Sequence, residues 1–340
     1  MQNLVKDSYL PPKKAKLSLL KTLAPVPPGS PKLGNSTLIS GEELTALEIE
    51  RIIELAEILQ RGRRKRLGHQ LLLGKTLVMM FDKPSLRTRL SFTIAMQELG
   101  GYVVESVSAN RKSEEPEDFA RVINGYAHAL MIRTHKEADL ERMSSHLRIP
   151  LINGLTDHYH PCQTLADLLT LRQCFGKLSD LRVTYIGDGN NILHSLLLMA
   201  PTVGIKVHYC CPPGYAPNAD IIARAKQRAG AEAMIVAFTD PRAAVRGSHA
   251  VYTDVWTSMG FEAENQDRRA AFAKYQVNEE LMRLAAHNAC LLHCMPMVRG
   301  EEVSSTLPDS ACSAIFAQAE NRLHVQKALL ALMLADPRSL

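Results

Sequence analysis

The chain has 340 residues, of which 46% are hydrophobic and 22% charged, with a formal net charge of +5. That length and balance describe a globular protein of two domains with sizeable cores, and short apolar runs such as 196–200 and 329–334 exclude a bilayer span or a secretory signal core. Seven scattered cysteines (162, 174, 210, 211, 290, 294, 312), odd in number and mostly in apolar segments, suit reduced thiols in a cytosol-like compartment rather than a disulfide framework.

Residues 1–35 hold six lysines, one acid and six prolines, with little apolar periodicity, and read as a disordered basic extension. Transit peptides are Arg-rich and this segment has no arginine, so a cytoplasmic location is expected, the mitochondrial matrix being the alternative if the extension is a transit peptide. Beyond it, basic and acidic residues are equal in number, which argues against nucleic-acid binding as the main business of the protein.

From about residue 40, helical and strand patterns alternate. Residues 42–61 place Leu44, Leu47, Ile49, Ile52, Ile53, Leu55 and Ile58 at helical spacing. Strands are expected at 76–81, 102–107, 128–132 and 150–153, with helices at 87–99, 115–126 and 137–147. After a helix at 161–175 come strands near 181–186, 205–210, 233–237, 249–253 and 289–293, then a last helix at 317–334. The expected fold is therefore α/β, with two doubly wound parallel sheets covered and joined by helices, and ligands at the carboxyl ends of the strands.

The chemistry-bearing residues sit just after those strands. Phe81-Asp82-Lys83-Pro84-Ser85-Leu86-Arg87-Thr88-Arg89 feeds a strand into a helix. The free N–H groups and dipole of its first turn, with Ser85, Arg87 and Thr88, suit an anion site, the alternative for these residues alone being Ser85 as a helix N-cap followed by a solvated basic turn. Arg133 ends another strand and can reach the same anion. His160-Pro161-Cys162-Gln163 opens the interdomain helix, where an imidazole and an amide can polarise a carbonyl and hold an NH₂ group. His158, His160 and Cys162 are too close in sequence, without a second cluster, to argue for a metal. Gly187-Asp188-Gly189-Asn190-Asn191 is a poor dinucleotide fingerprint: Ile192 replaces the third glycine and no acid ends the next strand. Its asparagines better suit an amino-acid main chain. Asp254-Val255-Trp256-Thr257-Ser258-Met259-Gly260 offers a carboxylate for an ammonium and a loop to close over a ligand. His293-Cys294-Met295-Pro296 ends the last strand, and Arg322 lies in the last helix. Cys294 has no sequence-local base to mark it as a nucleophile.

Together these motifs resemble the carbamoyltransferase family, in its ornithine branch, over about residues 38–335. Six occur in the family's order: Ser-x-Arg-Thr-Arg, the Arg133 strand end, His-Pro-x-Gln, Asp-Gly-Asn-Asn, Asp-x-Trp-x-Ser-Met-Gly and His-Cys-x-Pro. The resemblance implies transfer of the carbamoyl group of carbamoyl phosphate to the δ-amino group of L-ornithine, giving L-citrulline and phosphate, with no metal or organic cofactor. It implies a carbamoyl phosphate domain at 36–165, completed by the helix at 317–335, and an ornithine domain at 166–316. Ser85, Leu86, Arg87, Thr88, Arg133, His160, Gln163, Cys294, Met295 and Arg322 would hold carbamoyl phosphate. Asn191, Asp254, Ser258 and Met259 would hold ornithine, with Arg133, His160, Asp254 and Cys294 in the catalytic roles. It further implies a homotrimer with sites at subunit interfaces.

Three departures stand out. Leu86 replaces the family's usual threonine, Met295 its usual leucine, and 106–113 differs from the stretch that reaches a neighbouring subunit's site. Segment 106–113 motivates the competing reading of an inert binding protein; a modified ornithine is a second alternative, aspartate is opposed by the acidic Asp254, and an oxidoreductase by the broken glycine fingerprint.

Overall fold

The computed structural model describes residues 33–34, 36–107, 114–230, 234–257 and 265–336. The expected Ser258, Met259 and most of the altered segment, from 108 to 113, lie outside the described residues. Two five-stranded parallel sheets form the frame. The first holds β1 (Thr37–Leu38), β2 (Thr76–Phe81), β3 (Tyr102–Val107), β4 (Ala129–Arg133) and β5 (Leu151–Leu155), in the order β1-β5-β4-β2-β3. The second holds β6 (Arg182–Ile186), β7 (Lys206–Cys210), β8 (Ile235–Phe238), β9 (Ala250–Thr253) and β10 (Cys290–His293), in the order β10-β9-β6-β7-β8.

Around the first sheet run α1 (Ala46–Arg64), α2 (Leu86–Glu98), α3 (Pro116–Ile123) and α4 (Glu137–Ser144), followed by α5 (Pro161–Phe175). Around the second run α6 (Asn191–Met199), α7 (Ala219–Ala229), α8 (Pro241–Ala244), α9 (Asn265–Phe272) and α10 (Glu279–Met282), and α11 (Ile315–Leu334) closes the chain. The continuous apolar run of β2 leaves every residue from Leu77 to Phe81 buried, as a central parallel strand requires. Thr45 and Glu48 start α1 with a reciprocal capping box.

Helices α5 and α11 are buried over most of their length on all sides, and they bury polar residues such as Asp167, Gln318, Arg322 and Lys327 along with their apolar ones. Helix α11 packs against α1, α2 and α5, which carries Arg322 back to the first sheet although its sequence follows the second. The two-residue β1, paired with β5, was not expected; two residues give no periodicity to read.

In each sheet the chain moves outward to one side and then returns to the other, creating a switch point where loops part at the strand ends. In the first sheet this falls between β2 and β4, which are neighbours, and the Asp82 N–H donates to the Arg133 carbonyl across it (2.9 Å). In the second it falls between β6 and β9, bridged by Asn190 Nδ2 donating to Asp254 Oδ2 at 2.8 Å.

Candidate active site

The first switch point carries a concentration of positive charge. Ser85 caps α2, its hydroxyl accepting from the Thr88 N–H (3.3 Å). Thr88 Oγ1 accepts from Arg322 Nη2 at 2.9 Å, so the first turn of α2 is tied directly to α11. Arg322 Nη1 donates to Gln163 Oε1 (3.1 Å). Gln163 Nε2 in turn donates to Asp167 Oδ1 (2.9 Å), which also accepts from Gln318 Nε2 (2.6 Å).

Arg133 joins this group from the end of β4. Burial, then the nearby Arg322 and Arg87, lower its guanidinium to about 10. His160 is buried too; its backbone N–H donates to Ser195 Oγ at 2.8 Å, and its ring is held well below the usual histidine range by burial and by Arg322 and Arg133. The ring is therefore neutral. Arg133 Nε, Arg322 Nε and His160 Nδ1 are buried without a hydrogen-bond partner among the described residues. Several like charges and unsatisfied donors held together mark a place built for an anion with a polar carbonyl group.

The second switch point supplies the opposite chemistry. Asp254 follows β9; its Oδ1 accepts from Cys294 Sγ at 2.8 Å and from the Val255 N–H at 2.8 Å. Burial, followed by the Asp254 carboxylate, pushes the Cys294 thiol well above its usual range, so it stays protonated and is not a free nucleophile. Asn190 Oδ1 caps α6 by accepting from the Ile192 and Leu193 N–H groups while its Nδ2 holds Asp254. Asn191 instead donates to the Thr156 carbonyl (2.7 Å).

Gly189 explains why this turn needs glycine. A Cβ there would lie 2.2 Å from Pro217 N and 2.4 Å from the Ala216 carbonyl carbon, both backbone atoms that have no slack. Gly189→Ala is expected to lower the melting temperature by several degrees, roughly 2–3 kcal/mol of overpacking, and a thermal melt would detect it.

Beyond Cys294, Met295 has φ of +61°, a left-handed conformation unusual for its side chain. A buried relay holds it there: the Met295 N–H donates to His293 Nδ1 (2.9 Å), His293 Nε2 meets Glu302 Oε1 (2.9 Å), and that oxygen also accepts from the Val298 N–H (2.6 Å). Asp254, His293 and Cys294 bring ligand-type atoms within 4.8 Å of one another. Both His293 nitrogens are already engaged, which removes it as a ligand in this arrangement. His158 turns to Glu137 (2.9 Å), away from a shared site with His160 and Cys162.

Residues 36–173 match the family model described as aspartate/ornithine carbamoyltransferase, carbamoyl-P binding domain, and residues 179–333 match its Asp/Orn binding domain. The chain belongs to the aspartate/ornithine carbamoyltransferase family. Within that family, an ornithine carbamoyltransferase of Thermosynechococcus vestitus is 46% identical over 301 residues, which covers 87% of this chain and 95% of the relative. The structure of ornithine carbamoyltransferase from Pyrococcus furiosus superposes with a TM-score of 0.84 at 41% identity, covering 88% of this chain and 96% of that one. The Gloeobacter violaceus enzyme gives 0.78 at 42% identity, covering 88% and 99%. The first matched region contains β1 to β5, and the second contains β6 to β10 with most of α11.

Sequence reading named most of the residues gathered at these two switch points but missed the acceptors behind them. Asp167 lies one helical turn after Gln163, and Gln318 one turn before Arg322, so an i, i+4 search from each site residue would have found both. Glu302 and Ser195 carry no comparable local signal. Leu86 points outward and is exposed, leaving its backbone as its contribution to the loop.

Proposed function

We propose that the chain transfers the carbamoyl group of carbamoyl phosphate to the δ-amino group of L-ornithine, giving L-citrulline and phosphate. The observation that carries this reading is the pairing of two unlike switch points: an arginine-rich anion cradle facing an Asp254–Cys294 pair suited to an amine. Ser85, Leu86, Arg87 and Thr88 would hold the phosphate through the first turn of α2, and Arg133 would bridge phosphate and carbonyl. His160, Gln163, Arg322, Cys294 and the Met295 main chain would hold the carbamoyl group. Asn191, Asp254, Ser258 and Met259 would hold ornithine.

The neutral δ-amine attacks the carbamoyl carbon and negative charge builds on its oxygen; as the carbonyl re-forms, the C–O bond to phosphate breaks, and the proton lost by the amine leaves on the phosphate. Arg133, Thr88 and neutral His160 are donors for that oxygen. Asp254, with the protonated Cys294 thiol, favours the amine over other nucleophiles and steadies the charge it develops on attack. Residues 36–165 with α11 would form the carbamoyl phosphate unit and 166–316 the ornithine unit, a division supported by the packing of α11 on α1, α2 and α5.

Citrulline formation, assayed with ornithine, putrescine, N-acetylornithine and aspartate in parallel, tests the reading. Turnover on ornithine alone is the expected result; none on any substrate, by folded protein that still binds carbamoyl phosphate, would leave an inert binding protein instead.

The enzyme is proposed to be a cytoplasmic homotrimer. Leu86, Leu90, Tyr102 and Val104 form an exposed apolar set on α2 and β3, and β3 is the edge of its sheet. Such a face on an unpaired edge calls for a partner, and a second copy of the chain would bring segment 106–113 towards the neighbouring site. Val104→Glu is expected to convert a trimer into monomers in sedimentation velocity and to abolish most activity; a variant that stays trimeric would count against this face.

A further inference from the structure

Cys174 and Cys290 are far apart in sequence yet adjacent in space. Cys174 lies in the last turn of α5, and Cys290 is the first residue of β10. They meet because the end of α5 packs over the entrance to the second sheet. The Phe175 ring stands edge-on to His249, with centroids 5.9 Å apart, and the His249 carbonyl accepts the Cys290 N–H at 2.9 Å. That junction sets the two thiols side by side, close enough for each to act on the other's titration. Both are free, Cys174 exposed and Cys290 buried. Cys312 is close by, but its sulfur is 3.2 Å from Ser310 Oγ.

We propose that Cys174 and Cys290 form a dithiol modification site, oxidised by a hydroperoxide to a disulfide that ties the end of α5 to the start of β10. The order of events follows from exposure. Cys174, as thiolate, attacks a peroxide oxygen; the O–O bond breaks, leaving Cys174 as a sulfenic acid and, from hydrogen peroxide, releasing one water. Cys290 then attacks the Cys174 sulfur, the S–S bond forms, the S–O bond breaks, and hydroxide leaves as a second water with the Cys290 proton. Two thiols lose two electrons and one peroxide gains them.

The contact itself favours this chemistry. The neighbouring Cys290 draws the Cys174 thiol down to about 7 against the partial burial that raises it, while the same pairing and burial hold Cys290 well above its usual range. A thiol titrating near ambient pH is close to the optimum for attack. The bond would join the far ends of two elements that deliver site groups, since α5 begins beside His160 and β10 runs into Cys294.

The test treats the full-length protein with hydrogen peroxide, alkylates the remaining thiols and maps peptides by mass spectrometry. The expected result is a peptide pair linking Cys174 to Cys290, two thiols fewer per chain, and full reversal by dithiothreitol. In Cys290→Ser, Cys174 is expected to stop at a sulfenic acid that dimedone traps; in Cys174→Ser, Cys290 should remain alkylatable after unfolding. The proposal is overturned if wild-type Cys174 stays reduced while Cys312 oxidises, or if Cys174 passes to a sulfinic acid without a linked peptide. The wild-type map decides the question even if a variant misfolds.

Discussion

Arg133→Met is expected to lower kcat/KM for carbamoyl phosphate by at least about 10²–10³-fold while leaving the free protein as stable as the wild type, or more stable. The activity loss follows from the site's chemistry. Removing one preformed donor to a developing oxyanion typically costs about 2.7–4 kcal/mol in the transition state, and in the proposed reading Arg133 would touch phosphate as well. The stability effect has the opposite sign for a reason visible in the structure. Arg133 is only 6% exposed, with Arg322 and Arg87 the chief charges pressing on it and its Nε unpartnered. A buried cation beside like charges is unfavourable until an anion arrives, and methionine fills similar space without charge. Melting curves with and without carbamoyl phosphate check this. The ligand raises the melting temperature by mass action in the wild type, and that increment should collapse in the variant. Full activity together with a large drop in the free protein's melting temperature would show that Arg133 is structural.

The same logic explains which parts of this molecule are legible in its sequence. β2, with its unbroken apolar run, and α5, whose Pro161 start and Gly176 end bracket an apolar stretch, are visible because local pattern and global burial agree. Likewise, basic and polar residues at strand ends stand out because a parallel sheet leaves only those ends for ligands. Adjacent asparagines do not separate in this way. Asn190 takes both the helix cap and Asp254, and Asn191 goes to the Thr156 carbonyl, a division set by the dihedrals of the turn and not by residue type. Glu302 could not be inferred either, since its partner His293 is nine residues away and both are fully buried.

Asp167 is the residue whose removal should separate orientation from charge. Its Oδ1 accepts both the Gln163 and the Gln318 amide, which fixes Gln163 with Nε2 inward and Oε1 towards Arg322. Asp167→Leu removes that acceptor and leaves two buried NH₂ groups unpaired, at about 1–3 kcal/mol each. Gln163 is then free to flip its NH₂ towards the Arg322 guanidinium. The expected result is a rise in KM for carbamoyl phosphate and a fall in kcat, together about 10–10²-fold or more in kcat/KM.

Asp167→Asn keeps an oxygen in the same place and should retain most of the activity. It also reports the cost of the charge. Burial raises the Asp167 carboxyl to about 7, against 3.8 ordinarily, despite its amide donors and Arg322. The folded state therefore binds the proton more tightly than the unfolded chain does, so this group's contribution to stability falls as pH rises from about 4 to about 7. Asparagine lacks that loss, and its advantage over the wild type should grow across that window to a few kcal/mol, flat above it. Urea unfolding at pH 5 and pH 8 measures the difference, alongside kcat and KM for both variants. An unchanged KM in Asp167→Leu would break the link to Gln163, whereas loss of activity in Asp167→Asn would mean that the negative charge, not the acceptor geometry, is what the carbamoyl site requires.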